Sequence, residues 1–302
     1  MAFPASEDAA LRDPDGNDVE LVLAKRSQSS ASVASGGVAP IQQRKAADFR
    51  VLHEGETFVM PNPWDVGSAR VLEALGFKAL ATTSAGFAFA LGRLDGNVSL
   101  DEIVQHTRAL DQATGLPVSV DLENGYGPSP EHAASAVTQA AEAGAVGGSI
   151  EDYDPDGELY GFDLAVERVT AAVEAARNLD FPFTLTARAE NHIRGNPDLD
   201  DTIARLQAYE RAGADVLYAP GLRNGDEIKT VCDAVSKPVN VLALPGLSVG
   251  EIADAGGTRI SVGSGLAWVA VGAMVAAAEQ IRDTGDMSSL AAPVRISEWL
   301  GA

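Results

Sequence analysis

The chain has 302 residues, of which 46% are hydrophobic and 22% are charged, and its formal net charge is −21. This composition is typical of a soluble globular protein with one large core or two small ones. A surface this acidic repels phosphate backbones, so nucleic-acid binding is not expected. An anionic small substrate would need a cation at its site, either a metal or a focused arginine.

Cysteine usage and terminal composition point to a reducing compartment. The single cysteine, Cys232, lies in the apolar-periodic segment EIKTVCDAV and is expected to be a small buried hydrophobe, not a nucleophile. The start of the chain has no basic region followed by an apolar run, and the apolar segment 266–278 is too short and alanine-rich for a membrane span. We therefore expect a cytoplasmic protein with no membrane contact.

Residues 1–44 differ in composition from the rest. The stretch RSQSSASVASGGVAP is rich in Ser, Ala and Gly and has no sustained periodicity, which is typical of a disordered tail. The sequence thus predicts a low-complexity tail over 1–44 and one catalytic domain over 45–302.

From residue 45, short apolar runs alternate with helical segments. The predicted strands are residues 57–61, 79–84, 117–121, 147–152, 183–190, 216–220, 238–243 and 259–263. The predicted helices between and after them are Val66–Leu75, Leu100–Thr114, Pro130–Ala143, Leu164–Leu179, Leu199–Ala212, Asp226–Val235, Val249–Ala255 and Leu266–Arg282.

One joint recurs between these elements. The segments EALGFKAL, EAGAVGGS, RAGADVLY and DAGGTRIS each end a helix at glycine and enter a strand soon after. Eight strand–helix units in about 240 residues favour a (β/α)8 TIM barrel. A doubly wound open sheet is the alternative, but no GxGxxG follows the first strand.

Carboxylates cluster after two neighbouring strands of this barrel. Strand 3 delivers Asp121 and Glu123, and strand 4 delivers Glu151. Active sites of such barrels lie at the carboxyl ends of the strands, and carboxylates crowded there repel one another. A hard divalent cation relieves that repulsion, which suggests Mg²⁺, with Mn²⁺ as a second choice. The alternative is that either acid alone only caps a following turn.

Other polar residues end neighbouring strands. Arg188 in LTARAEN is expected to offer a bidentate fork to an anion, pointing away from the side of Thr186, or to pair with Glu151 or Glu190. Ser84, Ala85 and Gly86 form a small-residue turn whose N–H groups suit an anion. Strand 6 gives Tyr218, and strand 7 contains Asn240.

The histidines are scattered. His106 and His132 fall on predicted helix faces and are expected at the surface. His192 alone is expected near the mouth of the barrel.

The segments NPWDVGSARVLEALGFKALATTSAG, VDLENGYG, GGSIEDY and LTARAEN, in this order and spacing, resemble the isocitrate lyase / phosphoenolpyruvate mutase superfamily over about residues 48–285. The resemblance implies a (β/α)8 barrel that binds Mg²⁺ and 2-oxo acid or enolate-type substrates. It also implies a dimer or tetramer in which the eighth helix, here Leu266–Arg282, is swapped between subunits, and we expect a homotetramer.

The resemblance also implies roles for individual residues. Asp121 matches the direct metal ligand, Glu151 and Asp95 match further acids of the metal site, and Glu123 stands where the family usually has aspartate. The turn Ser84, Ala85 and Gly86 matches the site for the substrate carboxylate, and Arg188 matches the arginine at the other end. We add Asn240 as a substrate contact, and Tyr153, Tyr160 and His192 as candidate proton donors.

The loop after strand 4 departs from the family pattern. Residues 153–163, YDPDGELYGFD, contain no Cys, Lys or His. The isocitrate-cleaving lyases carry a Lys-x-Cys-Gly-His type loop there, and the mutase and phosphonopyruvate hydrolase members carry a gating loop with Lys and Asn. A standard isocitrate lyase is therefore not expected.

We expect a Mg²⁺-dependent carbon–carbon lyase or decarboxylase acting on a small 2-oxo or 2-hydroxy acid through an enolate. One alternative is P–C bond chemistry of the phosphoenolpyruvate mutase or phosphonopyruvate hydrolase type. The other is a barrel without catalysis that serves as a binding module.

Overall fold

The computed structural model describes residues 40–155, 157–291 and 295–300. Most of the predicted tail lies outside these residues. The first described helix, α1 (Pro40–Leu52), spans the predicted boundary between residues 44 and 45. The predicted boundary therefore falls inside a helix that the sequence pattern did not reveal.

Eight short strands form one parallel sheet in the order β1-β8-β7-β6-β5-β4-β3-β2. They are β1 (Phe58–Met60), β2 (Leu80–Ala81), β3 (Val118–Asp121), β4 (Gly147–Glu151), β5 (Thr184–Arg188), β6 (Val216–Tyr218), β7 (Val239–Leu242) and β8 (Arg259–Ser261). The Ala81 amide donates to the Pro61 carbonyl at 3.1 Å and links the two end strands. The sheet is thus a (β/α)8 barrel, as predicted, and each predicted strand segment contains one strand.

Helices alternate with the strands. They are α2 (Val66–Ala74), α3 (Ser84–Ala90), α4 (Leu100–Ala113), α5 (Pro130–Glu142), α6 (Phe162–Arg177), α7 (Leu199–Ala212), α8 (Gly225–Ala234), α9 (Val249–Asp254), α10 (Gly265–Thr284) and α11 (Ile296–Leu300). Three helices begin at capping boxes centred on Asp65, Ser99 and Ser248.

The recurring glycine joint has a simple backbone cause. Gly76, Gly144, Gly213 and Gly256 all have positive φ, between 89° and 106°. This left-handed conformation ends a helix and is costly for residues with a Cβ atom. The four repeats are therefore four copies of the same helix-to-strand turn.

Helix α1 closes the amino-terminal end of the barrel. Phe49 is fully buried, and a Cβ atom on Gly147 of β4 would lie 2.8 Å from the Phe49 ring. The close approach of α1 to the barrel thus requires glycine at the start of β4.

Two orientation predictions were wrong. Thr186 and Arg188 lie on the same side of β5: Thr186 accepts from Arg259 of β8, and Arg188 contacts Asp121 of β3. Residues two apart on a strand share a face, so the expectation that they diverge had the wrong period. His106 is buried, and its ring stacks on Phe87 with centroids 3.9 Å apart.

The prediction for His132 is confirmed, and that for Cys232 holds in part. His132 is exposed. Cys232 is partly buried, and burial raises its pKa to about 11, so the thiol is a poor nucleophile at neutral pH. Within the described residues, no helix combines the length and hydropathy needed to cross a bilayer.

Candidate active site

A cavity of about 440 Å³ opens at the carboxyl ends of the strands. Six of the predicted site residues line it: Ser84, Ala85, Asp95, Asp121, Arg188 and Asn240. The fold thus brings together residues that are up to 156 positions apart in the chain, from Ser84 to Asn240. The other predicted residues stand behind this lining or elsewhere.

Arg188 is the centre of the charged wall. Its Nη1 lies 3.0 Å from Asp121 Oδ1, and its Nη2 lies 3.0 Å from Glu151 Oε2 and 2.7 Å from Glu190 Oε1. Burial by itself would lower the pKa of Arg188, but the three carboxylates raise it well above its usual value. The guanidinium therefore stays charged and holds three acids from three strand ends.

Glu151 and Glu190 form the buried side of this cluster. Burial raises the pKa of Glu151 well above its usual value, against the opposing effect of Arg188. Arg194 lies 3.0 Å from Glu190 and 3.5 Å from Glu151, and the Tyr153 ring packs 3.8 Å from its guanidinium carbon. The structure thus places Tyr153 behind Arg194, outside the cavity lining.

Asp121, Glu123 and Asp95 form the acidic side of the site. Burial, then the charges of Asp121 and Asp95, raise the pKa of Glu123 to about 7. The Tyr126 hydroxyl donates to Glu123 Oε1 at 3.2 Å. Carboxylate crowding, expected from the sequence, is therefore present at the mouth of the barrel.

A buried arginine shapes the loop that carries these acids. Arg168 of α6 donates to the carbonyls of Gly127 at 2.8 Å, of Ser129 at 3.1 Å and of Asn124. Asn124 in turn donates to the Tyr160 hydroxyl at 2.9 Å. Tyr160 thus supports the loop and lies outside the cavity lining, so it does not meet the expectation for a proton donor in the cavity.

The predicted small-residue turn is the first turn of helix α3. Thr83 is its N-cap and accepts from the Gly86 amide at 3.3 Å. A Cβ atom on Gly86 would lie 2.7 Å from the Thr83 methyl, which explains the glycine. Gly86 is therefore committed to the cap, whereas Ser84 and Ala85 line the cavity.

The opposite wall comes from β6, β7 and β8. Asn240 is buried; its Oδ1 accepts from Arg259 Nε at 2.8 Å, and its Nδ2 donates to Ser261 Oγ at 3.0 Å. One amide hydrogen remains for a substrate. Tyr218, Arg259 and Ser261 also line the cavity. The sequence pattern indicated Tyr218 only as a polar residue at the end of a strand. Arg259 and Ser261 could have been predicted as cavity residues from the inward-facing positions of β8.

The structure does not bring His192 to this cavity. Its Nδ1 pairs with the Thr202 hydroxyl at 3.1 Å, and it lines a separate small pocket with Arg223 and Glu227. Burial lowers its pKa. The sequence position of His192, close after β5, did not reveal that the chain turns away from the mouth there.

The acidic side of the site offers carboxylate oxygens as ligands for a metal. Within the described residues, no three His, Cys, Asp or Glu side chains are arranged as a metal cage. Every hydrogen bond described for the Asp121 carboxylate ends on Oδ1, which leaves Oδ2 for a ligand. Mg²⁺ is commonly bound by one or two carboxylates and retained waters, so this oxygen donor set fits it.

Comparisons with known proteins identify the family of the chain. The sequence model of the phosphoenolpyruvate phosphomutase family matches residues 49–282. The probable 2-methylisocitrate lyase 2 of Corynebacterium glutamicum is 33% identical over 69% of each chain. An oxaloacetate decarboxylase of Paraburkholderia xenovorans is 30% identical over 68% of this chain and 70% of its own.

Solved structures give the same result. A provisionally assigned lyase/mutase from Burkholderia cenocepacia J2315 is 52% identical, with a TM-score of 0.84 over 87% of this chain and 98% of its own. A phosphonopyruvate hydrolase in complex with oxalate and Mg²⁺ is 25% identical, with a TM-score of 0.75 over 85% of this chain and 95% of its own. The chain therefore belongs to the phosphoenolpyruvate phosphomutase family, within the phosphoenolpyruvate mutase/isocitrate lyase superfamily of enzymes.

Proposed function

We propose that the protein is a Mg²⁺-dependent carbon–carbon lyase or decarboxylase. Its substrate is a small 2-oxo or 2-hydroxy mono- or dicarboxylic acid, and the reaction passes through an enolate. The observation that carries this proposal is that one cavity joins an acid with a free oxygen, Asp121, to the cation Arg188. The relatives named as a lyase and a decarboxylase support this reaction class.

Asp121 is the proposed direct ligand of the metal, with Asp95, Glu123 and Glu151 acting through water. When bound, Mg²⁺ supplies a Lewis acid that stabilises negative charge on substrate oxygens, and Mn²⁺ suits the same oxygen ligands. The solved neighbour that holds Mg²⁺ and oxalate supports the choice of metal. The raised pKa of Glu123 supports it too, because a cation would relieve the crowding of its charge.

The chain's own residues bind and orient the substrate. Ser84 and Ala85 at the start of α3 would receive one carboxylate through backbone N–H groups, and Asn240 would add an amide N–H. Arg188 and Arg194 bring two guanidinium groups to a mouth whose carboxylates outnumber them, on a protein whose net charge is −21. With Mg²⁺ bound, the mouth would gain the positive charge that attracts an anionic acid, and the arginine and N–H groups would fix the acid at both ends.

P–C bond chemistry is the second candidate, because the phosphonopyruvate hydrolase neighbour shares the fold at 25% identity. Phosphonopyruvate followed by ³¹P NMR separates it from carbon–carbon cleavage. A binding module without catalysis is the third, suggested by the absence of Cys, Lys and His from residues 153–163.

The test is a Mg²⁺-supplemented screen of oxaloacetate, substituted malates, methylisocitrate and phosphonopyruvate, combined with calorimetric titration of oxalate. We expect Mg²⁺-dependent oxalate binding that D121N weakens at least about 100-fold, because it removes the anionic ligand. The matched control is S135A, at an exposed position on α5. Oxalate binding that is equal in D121N would contradict the metal site, and binding without turnover of any substrate would favour the module.

We also propose that the protein is a homo-oligomer, a dimer or tetramer joined through α10. This 20-residue helix buries only Ala267 and exposes Trp268, Val269, Met274 and Val275. Apolar surface of this kind is typical of an interface. The double variant V269E/M274E should lower the mass measured by light scattering, whereas I41E on the exposed side of α1 should not. A cytoplasmic location also stays a proposal, supported by the single cysteine.

A further inference from the structure

A polar chain of hydrogen bonds runs along the wall formed by β7 and β8. Arg259 Nε donates to Asn240 Oδ1 at 2.8 Å, and Asn240 Nδ2 donates to Ser261 Oγ at 3.0 Å. All three side chains are buried. Because a guanidinium can only donate, Arg259 fixes which way the Asn240 amide points, and therefore fixes Ser261 as an acceptor.

Tyr218 and Ser261 line the same cavity. Ser261 accepts from Asn240, so its own hydroxyl hydrogen is available to donate. Burial raises the pKa of Tyr218 to about 12, so its hydroxyl is protonated at neutral pH. Where the Ser261 hydroxyl donates to the Tyr218 oxygen, the hydrogen of Tyr218 is free to donate to a substrate.

Tyr218 faces the proposed substrate. It lines the same cavity as Asp121, and the Arg188 guanidinium lies 5.2 Å from its ring centroid. The proton donors expected from the sequence, Tyr153, Tyr160 and His192, are absent from this lining as far as the structure is described. Tyr218 is thus the tyrosine that lines the cavity beside Arg188, together with the proposed metal ligand Asp121.

No carboxylate of the described residues pairs with Arg259. Its Nη2 donates to Thr186 Oγ1 at 2.9 Å, and its Nη1 donates to His53 Nε2 at 3.3 Å. The His53 Nδ1 contacts the Phe49 carbonyl at 2.8 Å, so it carries the ring hydrogen and leaves Nε2 as an acceptor. The donor-to-acceptor direction of the hydrogen bonds from Arg259 to Ser261 is therefore fixed at the floor of the barrel, the amino-terminal end that α1 closes.

We propose that Tyr218 is the catalytic residue that protonates the enolate carbon, and that Arg259, Asn240 and Ser261 are positioning residues that aim its hydroxyl. This proposal rests on the proposed function. In a 2-oxo diacid the scissile C–C bond breaks, the carboxylate leaves as CO₂ and the electron pair stays in the enolate. In a 2-hydroxy acid the hydroxyl proton passes to a cavity water as its carbon becomes the carbonyl of the second product, and the electron pair of the broken C–C bond again stays in the enolate. The enolate carbon takes the proton of the Tyr218 hydroxyl, the O–H electron pair stays on the phenolate, and a cavity water then returns a proton to it.

The test uses the reverse proton transfer, because it does not require the natural substrate. The full-length protein with Mg²⁺ is incubated with pyruvate in D₂O, and loss of the methyl signal is followed by ¹H NMR. We expect Y218F to slow this exchange about 100-fold, the usual contribution of a positioned acid–base group. Oxalate affinity and circular dichroism should match the unsubstituted protein, which shows that the site and the fold remain.

The positioning residues are tested with variants that change the direction of a hydrogen bond and with variants that remove or restore a hydroxyl group. In N240D the carboxylate can accept from Ser261, so the Ser261 hydroxyl turns away from Tyr218, and exchange at saturating pyruvate should slow about tenfold. Oxalate affinity should fall as well, because the amide N–H proposed to contact the substrate is lost. S261A should slow exchange similarly, and S261T, which keeps the hydroxyl, should recover most of the rate. A purely structural role predicts the reverse order, because threonine is the larger residue. The matched control is S135A.

The outcomes separate this proposal from the proposed function. Exchange by Y218F at the unsubstituted rate overturns the assignment of Tyr218. Cleavage of a screened substrate without any exchange also overturns it, because protonation then follows release, while the lyase function stands. Exchange that Y218F abolishes, with no carbon–carbon substrate cleaved, supports Tyr218 and removes the lyase function.

Discussion

Two buried arginines point into the same barrel and line the same cavity, yet their surroundings differ. Arg188 at the mouth contacts three carboxylates, from β3, β4 and the residues after β5. Arg259, lower in the barrel, has the neutral partners His53, Asn240 and Thr186 among the described residues. One cation is surrounded by an excess of negative charge, and the other by none.

The difference shows in the pKa of each guanidinium. Burial acts to lower both, but the carboxylates raise the pKa of Arg188 well above its usual value, whereas that of Arg259 falls to about 9. Arg188 thus balances charge where a further cation would also bind. Arg259 instead imposes direction on a neutral hydrogen-bond chain. Arginine thus neutralises carboxylate charge at the mouth of the barrel and orients neutral side chains lower in the barrel.

The largest expected effect comes from removing the cation at the mouth. R188M leaves three crowded carboxylates without their shared partner, and breaking a buried ion pair in this way costs about 3–5 kcal/mol of unfolding free energy. We expect that loss at pH 7 in urea denaturation, together with loss of turnover.

The pH dependence of R188M gives its control. Burial raises the folded-state pKa of Glu151 above its unfolded value, and without the opposing effect of Arg188 it rises further. The folded variant therefore binds more protons than its unfolded chain as the pH falls, and the deficit in stability is greatest at the higher pH. The deficit should therefore shrink between pH 7 and pH 5. A deficit that is independent of pH would mean that lost packing, not carboxylate repulsion, causes it.

The sequence predicted the acidic mouth better than the floor. Strand ends can be located from apolar runs, so Asp121, Glu151 and Arg188 were placed correctly beside one another. The role of Arg259 depends on which side of a three-residue strand faces inward and on contact with His53, which is 206 positions away. The expectation that His192 lies near the mouth was not met for a related reason, since the direction of a loop is set by tertiary contacts such as that with Thr202.

The floor should respond to acid through His53, not through a carboxylate. Burial and then Arg259 lower the pKa of His53 to about 3 from an unfolded value of 6.5. Between these values only the unfolded chain takes up the proton, so stability is full above pH 6.5 and falls as the pH drops toward 3.

The variant H53Q keeps an acceptor for Arg259 but does not titrate. At pH 5 the unsubstituted protein should have lost about 2 kcal/mol through His53, and H53Q should lack that loss. Urea denaturation of both proteins at pH 7 and pH 5 measures the difference. The buried His106 is present in both and cancels, so an identical pH response would show that His53 is protonated in the folded protein.

The smallest effect is expected from R259M, which makes the same substitution as R188M in the other environment. Arg259 donates three hydrogen bonds, whose loss opposes the relief of burying an unpaired cation, so the net cost should be about 1–2 kcal/mol. No crowded carboxylates are left behind, so the cost should not depend on pH between 6.5 and about 8, where His53 is neutral and Arg259 is charged in both the folded and the unfolded state. R188M and R259M remove the same atoms from the same barrel, and urea denaturation of the pair isolates what the surrounding charge contributes. If R259M cost as much unfolding free energy as R188M and varied with pH in the same way, Arg259 would have to have an anionic partner. Arg259 would then balance charge, and it would not direct the Asn240–Ser261–Tyr218 chain.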